Sequence, residues 1–260
     1  MKNLTTTLIL AAAATTGAAH AETALGLAGD RTLVMIDTAT AAVTGSVEAQ
    51  GVTRLLGIDY RPNTGKVIGV TDAQTIVEID PMTGATMEMA KMNTMLPVAE
   101  GAAVIVDVNP AADKLRFMSG TTNHRVDMDS GEVTVDGALN FDPADANASA
   151  MPMVVAVAYT NSYGKPEKTA MFDIDAGLNA LLQQTKPNDG LLATIGSLGV
   201  TLEGPVAMDV ATTADGTNTA WVAAMGGLHM LDLATGAVSG TMAITGTDQP
   251  LRDLTVLPAM

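Results

Sequence analysis

A short phrase recurs along this chain and constrains its fold more than any other feature. Each copy has an apolar residue, then Asp, two variable residues, and a small residue followed by Gly or Ala. Close copies begin at Ile36, Ile79, Val126 and Leu231, and a looser copy begins at Phe172. Their Asp residues lie 43 to 59 positions apart, and repeats of about 40 to 50 residues are typical of β-propeller blades.

The phrase predicts a turn between two strands. An apolar, β-rich run ends at the Asp, whose carboxylate can accept a hydrogen bond from the backbone two residues further on. The following Gly supplies the positive φ that a tight turn requires. We therefore interpret these Asp residues as structural and not as catalytic.

A second phrase precedes the first and predicts a short alternating strand. It pairs an apolar residue with Asp or Thr, and its copies are Ile58-Asp59, Val106-Asp107, Met208-Asp209 and Leu254-Thr255. The second repeat unit then divides into four strands, at residues 55–61, 66–70, 75–80 and 85–90. Unit four is ambiguous, because a third strand at 180–184 competes with a one-turn helix around 178–182.

The two ends of the chain complement each other. The first unit has three predicted strands, at 23–27, 32–37 and 42–47, and the chain finishes with an isolated strand at 251–257. Pairing that last strand with the first unit would close a ring and remove exposed strand edges. We predict an all-β β-propeller of five blades with four strands each; six blades or a β-sandwich are the alternatives.

The N-terminus predicts export. Lys2 precedes a brief apolar run at 8–14, and Ala19-His20-Ala21 forms a small-x-small cleavage site, the layout of a signal peptide. The expected arrangement is a signal peptide at 1–21 and one propeller domain at 22–260, periplasmic or secreted. The apolar run is too short to span a bilayer. With 0 Cys, such an exported chain has no disulfides to stabilise it.

The composition limits the partners. A formal net charge of −15 repels nucleic acids and anionic lipid headgroups. We therefore expect no nucleic-acid binding and no membrane span, and a monomer that binds an unknown protein or small-molecule ligand. The composition indicates no cofactor, and Ca²⁺ is considered next for one group of carboxylates.

The candidate site residues are Asp59, Asp107 and Asp209. Inner strands of a propeller surround its central channel, so three equivalent carboxylates could meet near the axis and bind Ca²⁺, which prefers six to eight oxygen ligands. The alternative is that each carboxylate bonds the backbone of the next blade, or pairs with Arg61 or Arg252, because buried charges are normally paired.

Other polar and sulfur-rich groups are weaker candidates. Asn123, Arg125 and Arg116 could form a pocket for an anion, although we favour the alternative that they form hydrogen bonds between blades. A run of methionines could bind Cu(I) or fill a gap between blades: Met82, Met87, Met89, Met92 and Met95. No catalytic residue is identified, because the sequence has no G-x-S-x-G elbow and no Cys.

Several phrases resemble a known family. They are LGIDYRP at 56–62, DGAL at 136–139, DANA at 145–148, VAYTN at 157–161, PNDG at 187–190 and Leu251-Arg252. From about residue 25 to residue 257 the chain resembles the bacterial domain-of-unknown-function family 4394. The resemblance implies a secreted, propeller-like domain and implies no activity. Where that family often has Gly after the last Arg, this chain has Asp253, which matters only if the last strand lines a site.

Two functions follow from these observations. The first is a non-enzymatic binding or scaffolding propeller outside the cytoplasm, since rigid scaffolds commonly present binding loops. The second is a Ca²⁺-assisted hydrolase or lactonase that uses the channel carboxylates. Convergence of Asp59, Asp107 and Asp209 on one point of the axis would favour the metal, whereas capping by neighbouring blades would disfavour it.

Overall fold

Five four-stranded antiparallel units follow one another around a central axis. The computed structural model describes residues 22–258, in which 21 strands form and no helix does. The predicted signal peptide lies outside the described residues. The predicted fold is confirmed: the strands form a five-bladed β-propeller.

The four strands of each blade succeed one another from the axis outwards. Blade 1 contains, in that order, β21 (Leu251–Leu257), β1 (Thr23–Ala28), β2 (Thr32–Asp37) and β3 (Ala42–Glu48). Blade 2 contains β4 (Leu55–Arg61), β5 (Lys66–Thr71), β6 (Thr75–Ile79) and β7 (Thr86–Lys91). Blade 3 contains β8 (Ile105–Asn109), β9 (Lys114–Ser119), β10 (Thr122–Val126) and β11 (Val133–Val135).

The remaining two blades follow the same order. Blade 4 contains β13 (Val154–Tyr159), β14 (Met171–Asp175), β15 (Ala180–Lys186) and β16 (Leu191–Ser197). The short β12 (Asn140–Phe141) adds to its outer edge, parallel to β16. Blade 5 contains β17 (Val206–Thr212), β18 (Asn218–Ala224), β19 (Gly227–Leu231) and β20 (Val238–Ala243).

The predicted ring closure is confirmed. The closing strand β21 pairs antiparallel with β1, with Thr23 opposite Leu257 and Leu25 opposite Thr255. Blade 1 is therefore built from both ends of the described chain, and β1 is not left with an open inner edge.

Five apolar clusters hold the blades together, one at each junction. Ile68 of blade 2 and Phe117 of blade 3, for example, are both fully buried in one cluster. Because side chains alternate across a strand, the middle strands of each blade bury one set of residues against each neighbouring blade. The sequence therefore shows nearly continuous apolar runs in these strands.

The recurring Asp phrase forms the predicted turn between the third and fourth strands of four blades. Asp80 Oδ1 accepts a hydrogen bond from Met82 N at 2.8 Å, and Asp232 Oδ1 does the same from Ala234 N. The Gly of the phrase is also a packing requirement. A Cβ on Gly84, whose φ is +72°, would lie 2.1 Å from the carbonyl oxygen of Glu48 in the preceding blade.

Blade 4 departs from the repeat. In the looser copy Asp173 lies within β14 and is fully buried, so it begins no turn. Its neighbour Asp175 caps the β14–β15 hairpin by accepting a hydrogen bond from Leu178 N at 2.8 Å. Residues 180–186 form a strand, and the one-turn helix considered for this region is wrong because these residues complete the sheet.

No helix of the described residues has the length and apolarity that crossing a bilayer requires.

Candidate functional site

The five inner strands place one residue each at the same level of the axis. Equivalent backbone hydrogen bonds identify this level, which we call the axial ring. Its members, in blade order from blade 1, are Thr255, Asp59, Asp107, Ala158 and Asp209. The ring thus contains the three Asp residues that the sequence predicts for a site.

The three carboxylates converge. One oxygen from each of Asp59, Asp107 and Asp209 lies within 4.8 Å of the other two. Oxygens bound to one Ca²⁺ at about 2.4 Å can be at most about 4.8 Å apart, so this spacing fits one cation with modest adjustment. The three side chains are also buried, with 5–6 % exposure.

Each of these carboxylates is also bonded to the following blade. Asp59 Oδ2 accepts a hydrogen bond from Val108 N at 2.6 Å, and Asp209 Oδ2 accepts one from Val256 N at 2.5 Å. Asp107 Oδ1 accepts from Tyr159 N at 3.2 Å. The sequence left two alternatives, convergence of the carboxylates near the axis and bonding of each to the backbone of the next blade. The structure shows both arrangements at once.

The other two ring positions explain the asymmetry of the site. Thr255 Oγ1 accepts from Tyr60 N at 3.0 Å and lies 2.7 Å from Asp59 Oδ1, to which it can donate its proton. Ala158 has no acceptor, so the amide of Val210 turns to the Oδ1 of its own neighbour, Asp209, at 2.6 Å.

The two arginines considered as partners of the ring bind elsewhere. Arg61 forms salt bridges with Asp113 and Asp129, each at 2.8 Å. Arg252 donates to the carbonyl oxygens of Gly29, Asp30 and Leu55. Within residues 22–258, no salt bridge reaches the three ring carboxylates.

Burial and mutual repulsion favour the neutral form of these acids. Burial raises the pKa of Asp59, and the carboxylate of Asp209 raises it further. Burial also raises the pKa of Asp107, to which Asp59 adds, and it raises the pKa of Asp209 to about 6. Because no salt bridge within residues 22–258 reaches the ring, protons or a bound cation are the remaining means of neutralising these carboxylates.

A fourth carboxylate lies at the mouth of the channel. Asp253 lies one level nearer the start of the inner strands and accepts hydrogen bonds from Ile58 N at 2.8 Å and Leu254 N at 3.0 Å. Burial raises the pKa of Asp253 to about 8. It lines a cavity of about 10 Å³, close to the smallest volume that holds one water molecule. The last strand therefore does line the channel.

The predicted anion pocket is filled by the protein itself. Arg116, which is 2 % exposed, donates to Asn123 Oδ1 and Asp136 Oδ2, each at 2.8 Å, and to Tyr159 Oη at 3.2 Å. Arg125 donates to both oxygens of the same Asp136. The residues form a polar network between blades 3 and 4, as the alternative interpretation predicted.

One buried acid on the same junction has no partner. Neither carboxylate oxygen of Asp173 accepts a hydrogen bond from any described residue, and the side chain is fully buried. Burial raises the pKa of Asp173 to about 8, although the charge of Arg116 acts in the opposite direction.

The methionine run does not form one group. Met92 is buried between blades 2 and 3 with Met89 packed against the same cluster, whereas Met82, Met87 and Met95 are more than half exposed. This division fits gap filling by Met89 and Met92.

A larger cavity opens beside the closing strand, and the sequence gives no signal for it. We call it the closure cleft: about 230 Å³, lined by residues 223–226 and 247–251 together with Pro205 and Ile244. Its walls are the β18–β19 hairpin of blade 5 and the loop that leads into β21. These segments meet where the chain leaves blade 5 and enters the closing strand.

Comparison with known proteins supports the fold and leaves the function open. The model of a family described as a domain of unknown function, DUF4394, matches residues 32–255, and no curated protein matches. A protein of unknown function from Bacteroides thetaiotaomicron VPI-5482 is 13 % identical over 94 % of this chain and 68 % of its own, with a TM-score of 0.53.

Two further structures are similar at lower TM-scores. An auxiliary nutrient binding protein from Bacteroides ovatus is 13 % identical over 82 % of this chain and 57 % of its own, with a TM-score of 0.48. A luciferin-regenerating enzyme is 12 % identical over 86 % of this chain and 76 % of its own, with a TM-score of 0.47. At these values neither carries an argument about activity.

Proposed function

This chain belongs to the domain-of-unknown-function family DUF4394, and we propose that it is a non-enzymatic binding or scaffolding propeller that works outside the cytoplasm. The observation that carries the proposal is the closure cleft of about 230 Å³. Apolar cavities of about 150 Å³ already accommodate benzene, so the cleft has room for a small organic ligand.

The axial ring supports binding more than catalysis. Each of its carboxylates is already engaged by a backbone amide. The cavity at the channel mouth, about 10 Å³, admits a water or an ion and is too small for a lactone or an ester.

The extracytoplasmic location rests on the predicted signal peptide. The test is to produce the full chain in a bacterial host, fractionate the cells, and determine the N-terminal residue of the recovered protein. Recovery from the periplasm or the medium with Glu22 at the N-terminus supports the proposal. Recovery from the cytoplasm with Met1 retained contradicts it.

Binding in the cleft is tested by thermal melts against short aliphatic amines, alcohols and acids at constant ionic strength. A ligand of the folded state raises the melting temperature in a saturable manner. Thr247→Trp places a large ring in the cleft wall and is expected to abolish the rise, whereas Thr201→Trp, at an exposed position on another loop, preserves it. No saturable rise with any probe contradicts a ligand-binding cleft.

A second candidate is Ca²⁺ binding by Asp59, Asp107 and Asp209, and with it a Ca²⁺-assisted hydrolase or lactonase. The convergence of three carboxylate oxygens within 4.8 Å favours the cation. Each oxygen that accepts one amide proton keeps a second lone pair for a metal, and waters or carbonyls would complete the coordination.

Ca²⁺ and protons would compete for the carboxylates of the axial ring, and this competition provides a test of Ca²⁺ binding. Because burial raises the pKa of all three acids, Ca²⁺ binding would displace protons. Calorimetric titration of the chelator-treated chain in buffers of different ionisation enthalpy measures that release. Proton release that disappears in Asp107→Asn but persists in the exposed control Asp72→Asn supports the site. Unchanged melts at millimolar Ca²⁺ contradict it.

Catalysis is tested separately, by an assay of lactone hydrolysis on the same protein sample. Ca²⁺-dependent hydrolysis of a lactone, lost in Asp107→Asn, would favour the enzyme over the binding protein. Ca²⁺ binding without turnover leaves the cation as a structural component of the channel.

A further inference from the structure

The closure cleft has apolar walls and a single charge. Its walls include Pro205, Ala223, Ala224, Ile244, Pro250 and Leu251. Of the described residues that line it, Asp248 alone is charged, and Thr247 and Gln249 add neutral polar groups. An apolar cavity with one polar anchor at its edge is typical of sites that orient a small ligand.

Among residues 22–258, no basic side chain forms a salt bridge with Asp248. The nearest basic residue along the chain, Arg252, is not among the lining residues of the cleft. Its guanidinium donates to the carbonyl oxygens of Gly29 and Leu55, at 2.5 and 2.8 Å. The net charge of −15 adds a field that attracts cations and repels anions.

We infer that the closure cleft binds a small organic cation, a primary ammonium that carries a short, branched aliphatic body. The inference rests on the proposed binding function and names its ligand class. The aliphatic body packs against Ala224, Ile244 and Leu251, where it leaves water. The ammonium group remains at the exposed rim beside Asp248, where it keeps part of its hydration.

The position of the cleft gives the ligand a second effect. One wall belongs to the last blade, and the other belongs to the loop that enters the closing strand. The side chain of Gln249 in this loop also lies against the β1–β2 hairpin, because a Cβ on Gly29 would be 2.4 Å from Gln249 Oε1. A bound ligand therefore joins blade 5 to the segment that closes the ring.

The test uses the full chain with ¹³C-methyl-labelled methionine. Met225 lines the cleft, and Met151, which is 80 % exposed and lies on another blade, is the internal reference. Isopentylammonium, isopentanol and isovalerate are titrated separately at constant ionic strength. We expect saturable shifts of the Met225 methyl group and none of Met151. Isopentylammonium should bind about fivefold more tightly than isopentanol, the ratio expected for an exposed ion pair.

Variants separate the charge from the cavity. Asp248→Asn should bring the affinity for isopentylammonium down to that for isopentanol, and Asp248→Lys should make isovalerate the preferred probe. Asp72→Asn, an exposed acid on the loop of blade 2 at the same end of the propeller, should change neither affinity. Both Asp248 and Asp72 are exposed, so each variant is expected to fold.

The outcomes distinguish the two proposals. Equal or tighter binding of isopentanol or isovalerate by the unmodified chain overturns the ammonium ligand and leaves a binding cleft intact. Absence of any Met225 shift with all three probes overturns the ligand class and also removes the cleft as the basis of the proposed function.

Discussion

Asp59 on the inner strand of blade 2 accepts a hydrogen bond from the backbone amide of Val108 on blade 3, at 2.6 Å. The same relationship links Asp107 to Tyr159 and Asp209 to Val256, and Thr255 takes the place of an acid towards Tyr60. The residues that could bind a cation thus also join neighbouring blades. Stability and ion binding are therefore expected to change together when the axial ring is altered.

Removing the hydroxyl of Thr255 should weaken the ring. Thr255→Val keeps the shape of the side chain and deletes the group that donates to Asp59 and accepts from Tyr60 N. We expect a loss of about 1–3 kcal/mol in the free energy of unfolding, the usual cost of a broken buried hydrogen bond. Urea denaturation measures it, with the exposed Thr201→Val as control. Equal effects of the two variants would contradict the bridging role.

Stability should fall as the pH rises through the neutral range. The pKa of Asp173 rises from an ordinary value of 3.8 to about 8 in the folded protein, so between these values the folded state binds a proton that the unfolded state releases. The stabilisation of the folded state by the proton on Asp173 is complete below pH 4 and is lost towards pH 8. For one group, the free energy of unfolding falls by at most about 1.4 kcal/mol per pH unit.

Asp173→Asn tests this origin, because the amide cannot ionise. Its free energy of unfolding should depend less on pH between 5 and 8 than that of the unmodified chain, and it should be the more stable protein at pH 8. Part of the slope should remain, because the pKa of Asp253 is also raised to about 8. Urea melts at four pH values measure both slopes, and identical slopes would exclude Asp173 as a source.

Neutralising Asp136 should destabilise the junction between blades 3 and 4. Burial opposes its charge, but hydrogen bonds from Arg125 and Arg116 hold the pKa of Asp136 below its ordinary value. The stabilisation that ionised Asp136 contributes is therefore present above pH 4. It is lost as the pH falls through the pKa that Asp136 has in the folded protein. Asp136→Asn leaves Arg116 buried without its anion, and we expect a loss of about 3 kcal/mol at pH 7.

The control for this variant is an exposed ion pair. Asp30 is 3.5 Å from Arg54, with 74 % of its side chain exposed, and Asp30→Asn should cost less than about 1 kcal/mol. A similar small cost for Asp136→Asn would show that water reaches Arg116 and that the network is not a stabilising one.

Alanine substitutions at two glycines with the same backbone conformation distinguish the cost of backbone strain from the cost of a steric clash. Gly84 and Gly101 have φ of +72° and +74°, but a Cβ would meet the Glu48 carbonyl at 2.1 Å in the first and nothing within 4 Å in the second. Gly101→Ala should cost about 1–2 kcal/mol from the left-handed backbone alone. Gly84→Ala should cost clearly more in the same urea melts. Equal costs would mean that the turn can move away from blade 1.

The blades and the ring carboxylates were predictable because they repeat. The Asp-containing turns and the alternating inner strands recur with nearly constant spacing, and Leu254-Thr255 carries the pattern of Ile58-Asp59. Blade 4 departs from the repeat, and its residues could not be predicted in the same way. Ala158 has no polar side-chain atom that would mark it as a member of the axial ring. Asp173 resembles a turn residue in sequence although it lies inside a strand.

The features created by closure were not predictable. The closure cleft combines residues 223–226 with residues 247–251, and their approach depends on how the loop after β20 returns to the axis, which no repeated pattern predicts. Asp253 could be suspected only as a departure from a family pattern. That its side chain enters the channel depends on the register between β21 and β1, which local propensities do not determine.

Pairing of β21 with β1 also sets the order in which the molecule can be completed. Of the described strands β21 is synthesised last, so blade 1 lacks its inner strand until the rest of the described chain has been made. The junctions of blade 1 with blades 2 and 5 are incomplete until then. Contacts between the two ends of a chain are the slowest to form, since the longest loop must be closed first. Closure of the ring is therefore expected to be a late step of folding, and until that step the inner edge of β1 is expected to remain unpaired.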